Sequence, residues 1–255
     1  MRVVITGAAG TIGTLAAEEL RGDHRLVLVD RRPVAGRDAQ TADLSRHPVR
    51  GRWSPRDRFA RWPRWFQGAD VVLHLAAESD TSAPWRSVLS NNIEATWHVL
   101  HAAAHHRVPR VVFASSNWAV KVLEEELAPD CYAPDGPKID SEAPPRPRTA
   151  YGFSKAAGEA AGRMFVDEGR LTSFLAVRIG WCAQREQVAI QENAVVRHRW
   201  LGFGDGRRLL RRCVEADFAG YHVVYGVSAQ AEAPYDLSHT RSVLDWSPEE
   251  TAPGP

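Results

Sequence analysis

The chain has 255 residues, 44% hydrophobic and 25% charged, the balance of an ordinary soluble globular domain long enough to bury a full core. Lysine and arginine number 32 against 31 aspartate and glutamate, and this net charge of +1 lacks the basic excess of nucleic-acid and membrane-surface binders. No apolar run approaches the ~20 residues that span a bilayer, and the N-terminus carries no signal-peptide core. Cys131, Cys182 and Cys213 are scattered, and the ten histidines show no metal-ligand spacing. The expectation is one cytoplasmic domain over 1–255 with no bound metal.

In chain order, residues 2–6 form a short apolar strand, followed by Gly7, Gly10 and Gly13 and a helical stretch. Residues 25–30 are a second strand ending in Asp30. Residues 31–66 are rich in Arg, Pro and Trp and read as a solvated linker with a short helix whose tryptophans cap the sheet edge. Strands come next at 70–76 and 110–115, with helical spacing near 85–106 between them. The segment 124–148 opens with three glutamates and contains Pro129, Pro134, Pro137, Pro144 and Pro145, so it reads as a long loop and a candidate lid. A helix over 151–169 leads into a strand at 174–180. Arginines on more than one face of 207–212 suggest a solvated helix. Continuous β-branched runs separated by helices predict an α/β fold, a doubly wound parallel sheet that takes ligands at the carboxyl ends of its strands.

The turn Thr6-Gly7-Ala8-Ala9-Gly10-Thr11-Ile12-Gly13 leaves a strand and opens a helix, the arrangement that lets a backbone approach a pyrophosphate and offers it the helix N-terminus. Asp30 comes after Gly13, at the end of the second strand. A carboxylate there accepts from both adenosine ribose hydroxyls and repels a 2′-phosphate, which favours NAD(H). Arg31 and Arg32 keep NADP(H) open.

Tyr151 and Lys155 stand four apart on the first turn of a helix, hence on one face. A neighbouring ammonium favours the phenolate and lowers a tyrosine pKa from its usual value near 10. Tyr151 could then exchange a proton with a substrate oxygen, and Ser116, at the end of a core strand, could hold that oxygen.

With these motifs in this order, the sequence resembles the extended short-chain dehydrogenase/reductases, the NAD-dependent epimerase/dehydratase superfamily. The resemblance covers residues 3–182 and implies a Rossmann fold. Residues 1–180 would mainly bind dinucleotide and 181–255 would form a small substrate-binding part. Asp43-Leu44 resembles the family's adenine-contacting pair, and His74-Leu75-Ala76-Ala77 its fourth-strand segment beside the cofactor. Asn92 resembles a helix asparagine that stabilises the active site and supports a proton relay. A homodimer built on the helices at 92–106 and 151–169 is also implied.

A closer similarity is to uronate dehydrogenases, through residues 113–117, 151–155, 177–180 and 223–229, Ser238-His239 and Asp245-Trp246-Ser247-Pro248. It implies that Ser79, Ser116 and Asn117 contact substrate, that Tyr151 is the acid/base, and that Lys155 binds the nicotinamide ribose. Ile179 would lie by the cofactor and Gly180 by the substrate. Trp118 stands where those enzymes have histidine, and Trp181 where they have serine. Two polar sugar-binding positions are thus aromatic, which suits a flat or bulkier ligand. The family's carboxylate-holding arginine falls just upstream of Trp200, near Arg197 and Arg199. The expected activity is interconversion of a secondary alcohol and a ketone on a cyclic small molecule, as by a ketoreductase of specialised metabolism acting on a nucleoside-like or glycosylated substrate. Hexuronate oxidation, nucleotide-sugar epimerisation or dehydration, and non-catalytic dinucleotide sensing are the alternatives.

Overall fold

Runs of Val, Ile and Leu without polar alternation can be satisfied only inside a sheet covered on both faces. A computed structural model, describing residues 1–34, 36, 38–46, 62–191 and 194–253, shows this arrangement. Its strands are β1 (Arg2–Thr6), β2 (Arg25–Asp30), β3 (Ala39–Thr41), β4 (Val71–His74), β5 (Arg110–Ser116), β6 (Ser173–Ile179), β7 (Trp181–Cys182), β8 (Trp200–Leu201) and β9 (Gly220–Gly226). The helices are α1 (Thr11–Leu20), α2 (Trp85–Val88), α3 (Ala95–His105), α4 (Lys121–Leu127), α5 (Ala150–Asp167), α6 (Arg185–Ala189), α7 (Ala194–Arg197), α8 (Phe203–Glu215) and α9 (Ser238–Leu244).

Seven strands form one parallel sheet in the order β3-β2-β1-β4-β5-β6-β9. The strand order reverses between β1 and β4, and a crevice opens there at the carboxyl ends. On one face, Leu15, Ala16 and Leu20 of α1 and Leu209, Leu210 and Val214 of α8 pack on the sheet. On the other, Val99, Leu100 and Ala103 of α3 and Phe165 of α5 do so.

The predicted strands and the 151–169 helix fall where expected, and four details differ. The 31–66 segment supplies an edge strand, β3, and a 3₁₀ turn over Trp62–Phe66. That turn is the expected short helix, and its Trp62 and Phe66 are buried where they fill the space beneath α3 and β4. The linker reading of residues 47–61 lies outside the described residues. The loop predicted from residue 124 begins later, since Glu124, Glu125 and Glu126, good helix formers, belong to α4. The stretch after α4 is tied down: Lys138 donates to the carbonyls of Cys131, Ala133 and Ala231, and Ile139 pairs with Tyr235. β9 brings the C-terminal segment into the main sheet. Finally, the 207–212 arginines lie on an amphipathic α8 and reach α1, Arg207 to Glu18 at 3.0 Å and Arg211 to Glu19 at 2.7 Å.

Candidate active site

The glycine turn is built by close contact. Gly7 adopts φ +73°, and a Cβ there would lie 2.6 Å from the Ala76 nitrogen; a Cβ on Gly13 would lie 2.2 Å from the Gly7 oxygen. Larger residues would therefore push α1 off β1 and β4. No side chain caps α1, so its first-turn N–H groups face the crevice at the positive end of the helix dipole. Asp30 is buried and oriented: Oδ2 accepts from the Ala9 N–H at 2.9 Å and Oδ1 from the Arg32 N–H at 2.8 Å. Asp30 lines a pocket with Gly7, Gly10, Arg31, Arg32, Asp43, Leu44, Leu75, Ala76 and Ala77. A glycine cradle, an uncapped helix start and a fixed carboxylate fit the pyrophosphate and ribose of a dinucleotide.

That pocket runs into a cavity of about 630 Å³, since Gly7, Gly10, Arg32, Leu75 and Ala77 line both. Thr11, Ile12 and Gly13 line the larger cavity on one side, and Ser79, Ser116, Asn117, Trp118, Tyr151, Gly180 and Trp181 line it on the others. Ala9, Asn92, Lys155 and Ile179 are not on its walls. Asn92 supports it from behind: it accepts from the Glu78 N–H at 2.7 Å and donates to the Glu78 carbonyl and to Ser154 Oγ. Ser154 in turn donates to the Tyr151 carbonyl at 2.6 Å.

Local sequence explains the presentation of Tyr151 and Ser116. Thr149 caps α5 by accepting from the Gly152 N–H, which places Tyr151 in the first turn. Ser116 ends β5 and caps the next 3₁₀ turn by accepting from the Trp118 N–H at 3.2 Å, and it lines the same cavity as Tyr151. Lys155 is buried, donates to the Ala114 carbonyl at 2.8 Å and lies 5.5 Å from the Tyr151 ring centre. Burial depresses its ammonium to about 8. The sequence predicts a lowered tyrosine, but burial pushes Tyr151 up here, against the opposing bond from Ser116. The Lys155 charge is spent on the backbone carbonyl rather than on the phenol.

His74, at the end of β4, is fully enclosed between Thr6 Oγ1 at 2.7 Å and Thr96 Oγ1 at 3.1 Å. Burial and the Lys155 charge lower it to about 3. The unfolded chain takes up this proton below pH 6.5 and the folded chain does not. Stability from this group is thus complete above pH 6.5 and is lost as pH falls towards 3, by up to about 1.4 kcal/mol per pH unit. Urea unfolding between pH 7 and pH 4 should show a shallower acid slope for His74→Asn than for the wild type; equal slopes would remove His74 from the acid response.

Sequence reasoning missed a buried network on the substrate side of the cavity. Glu124 is fully buried; Oε2 accepts from Tyr235 Oη at 2.7 Å, and Oε1 from Tyr132 Oη at 2.6 Å. Arg199 places Nε at 2.6 Å and Nη2 at 2.5 Å from the same Oε1, with Lys121 Nζ at 3.3 Å. Tyr235 also accepts from Asn117 Nδ2 at 3.0 Å, and Asn117 Oδ1 accepts from Ser116 Oγ at 3.3 Å. Of the two arginines near Trp200, Arg199 lines the cavity, whereas Arg197 donates to the Gln191 carbonyl. The β7–β8 pairing sets this register, with the Trp181 N–H donating to the Arg199 carbonyl at 2.7 Å. Thr81, Gln191 and Val196 also line the cavity. Nothing in the run of three glutamates marks Glu124 as the buried one, except Lys121 three residues before it.

The fold and the crevice define a dinucleotide-binding oxidoreductase with a serine–tyrosine–lysine set. Residues 3–180 match the model of the NAD dependent epimerase/dehydratase family, and the chain belongs to that family, as an extended short-chain dehydrogenase/reductase acting on CH–OH groups with a nicotinamide cofactor. The chain is 32% identical to L-arabinose 1-dehydrogenase (NAD(P)(+)) of Haloferax volcanii, covering 98% of this chain and 97% of that one. It is also 32% identical to the NAD-dependent glucose-6-phosphate dehydrogenase of the same organism, covering 98% and 94%. Its fold superposes on a variant of uronate dehydrogenase from Agrobacterium tumefaciens complexed with NAD, with TM-score 0.78, 28% identity and coverage of 98% and 85%.

Proposed function

We propose that the chain oxidises the ring hydroxyl at the anomeric carbon of a cyclic sugar, giving the lactone, with NAD as the favoured cofactor. The observation that carries this reading is the convergence of Ser116 and Tyr151 on a cavity continuous with the glycine-turn pocket. Gly7, Gly10, Thr11, Ile12 and Gly13 would hold the pyrophosphate through backbone groups, with Ala9 orienting Asp30, which would hold the adenosine ribose. Asp43, Leu44, Leu75, Ala76, Ala77 and Ile179 would flank the cofactor, with Arg31 at its adenosine end. When bound, the nicotinamide supplies the hydride acceptor.

Ser116 holds the substrate oxygen and Tyr151 takes its proton. Lys155 binds the nicotinamide ribose, while Asn92 ties α5 to the Glu78 backbone. Ser79, Asn117, Trp118, Gly180 and Trp181 face the sugar. Residues 181–255 act as the substrate part, contributing Trp181, Gln191 and Arg199 to the cavity. Asp30 supports NAD over NADP, although Arg31 and Arg32 line the same pocket. The exposed Trp85, Trp97 and Phe153 on α2, α3 and α5 support a homodimer through these helices, and the free thiols of Cys131, Cys182 and Cys213 suit the cytoplasm.

The test is initial-rate NADH formation with aldoses, aldose phosphates and hexuronates. The best sugar should reach kcat/KM of about 10⁴ M⁻¹s⁻¹ or more, and NADP⁺ should serve more poorly than NAD⁺. A second reading, reduction of a bulkier cyclic ketone, is favoured by Trp118 and Trp181 on the cavity wall. Turnover of such ketones with no sugar oxidation would replace the first reading by the second.

A further inference from the structure

Proteins similar to this chain act on a neutral pentose, a sugar phosphate and a uronate, so family membership leaves the charge of the substrate open. Among the described residues lining the substrate end of the cavity, Arg199 is the cation. Were its guanidinium free, the cavity would suit a carboxylate or phosphate, because a planar donor fork matches those groups.

It is not free. Its Nε and Nη2 both engage Glu124 Oε1, and Nη2 lies 3.4 Å from Tyr132 Oη. Glu124 cannot turn away to release it. Tyr235 donates to its other oxygen, Tyr132 to the shared one, and the carboxylate has no access to solvent. Burial alone would push Glu124 up, but Arg199, the two tyrosine hydroxyls and Lys121 outweigh it and keep the carboxyl ionised. Lys121, the second cation on Oε1, does not line the cavity. Arg32, which does, belongs to the dinucleotide end, where its Nη2 lies 3.4 Å from the Ala9 carbonyl. An anionic ligand reaching Arg199 would therefore meet a guanidinium already paired, with a buried carboxylate behind it. The remaining polar wall, Ser79, Thr81, Asn117 and Gln191, consists of uncharged groups that pair with hydroxyls, and Trp118 and Trp181 offer ring faces to C–H groups.

We infer that Glu124, by neutralising Arg199, is a specificity-determining residue that makes the cavity select neutral, hydroxyl-bearing rings over their carboxylate or phosphate counterparts. The inference rests on the proposed sugar oxidation for its substrate class, while its charge argument stands on the Glu124–Arg199 contact alone.

The test uses the pair D-galactose and D-galacturonate, which differ only in CH₂OH against carboxylate at C6. With wild-type protein and NAD⁺, kcat/KM should favour galactose by about tenfold or more, equivalent to one 1.4 kcal/mol step. In Glu124→Gln the ratio should move towards galacturonate by a similar factor, the shift residing in KM. Galacturonate should also raise the Tm of this variant more than galactose does. A wild-type preference for galacturonate, or an unchanged ratio in a folded Glu124→Gln, overturns the inference. If neither sugar is oxidised, calorimetric binding of the pair to the NADH-bound protein reads the same selectivity: galactose bound more tightly by wild type upholds the charge argument while the proposed reaction falls, and equal or inverted binding overturns it. Because the wild-type ratio is one arm, a variant that fails to fold leaves the inference falsifiable.

Discussion

Tyr151→Phe should lower kcat by about 10²–10⁴-fold, the usual contribution of a positioned acid/base, while leaving dinucleotide affinity unchanged. The substitution keeps the ring and deletes one hydroxyl, on a residue that lines the cavity together with Ser116. The cofactor cradle is untouched, because Gly7, Gly13 and Asp30 owe their geometry to β1, β4 and α1. Burial holds the wild-type hydroxyl above its ordinary pKa in the unliganded chain, so oxidation should speed up as the solution becomes more alkaline, and the variant's residual rate should lose that rise. Stopped-flow turnover and NADH fluorescence titration separate the two quantities. Retained turnover would exclude the tyrosine from proton transfer, and lost NADH binding would make its role structural.

Arg178→Met should destabilise the fold by about 3–5 kcal/mol, because it strands a buried carboxylate. Arg178 is 1% exposed and grips Glu159 with two parallel bonds, Nε to Oε1 at 3.0 Å and Nη2 to Oε2 at 2.9 Å. Its Nη1 donates to Tyr225 Oη and to the Ala143 carbonyl. Glu159 also accepts from Ser115 Oγ at 2.6 Å, so one ion pair locks β5, β6, β9 and α5 beside Ser116 and Tyr151. The double variant Arg178→Met/Glu159→Leu should recover much of the loss, since a packed apolar pair avoids the desolvation of both charges. Urea unfolding gives both values. A loss below about 1 kcal/mol for the single variant would mean that water or a rearranged partner reaches Glu159.

The parts of the fold legible in the sequence are those carried by short-range pattern. The glycine turn, Asp30, the β-branched runs and the Tyr151–Lys155 spacing each report a backbone conformation or a shared face within a few residues, and each is where the pattern puts it. The edge strand β3 was not legible, because three residues, Ala39–Thr41, carry no period and owe their strand conformation to pairing with β2. That the tryptophans of 62–66 cover the sheet was legible, but the packing of Trp62 against α3 was not, since α3 lies further along the chain.

The active-site support divides in the same way. Ser116 and Tyr151 could be named from sequence, but the bond between Asn117 and Tyr235 joins residues 118 apart, and Glu124 meets Arg199 across 75. By itself the sequence determined the sheet, the glycine turn and the placement of Ser116 at a strand end and Tyr151 in the first turn of a helix, since periodicity and local φ/ψ demands act along the chain. Only the tertiary structure decided which of three adjacent glutamates is buried and which of two arginines faces the cavity. Desolvation and ion pairing depend on what packs from elsewhere in the fold, and no local pattern encodes that.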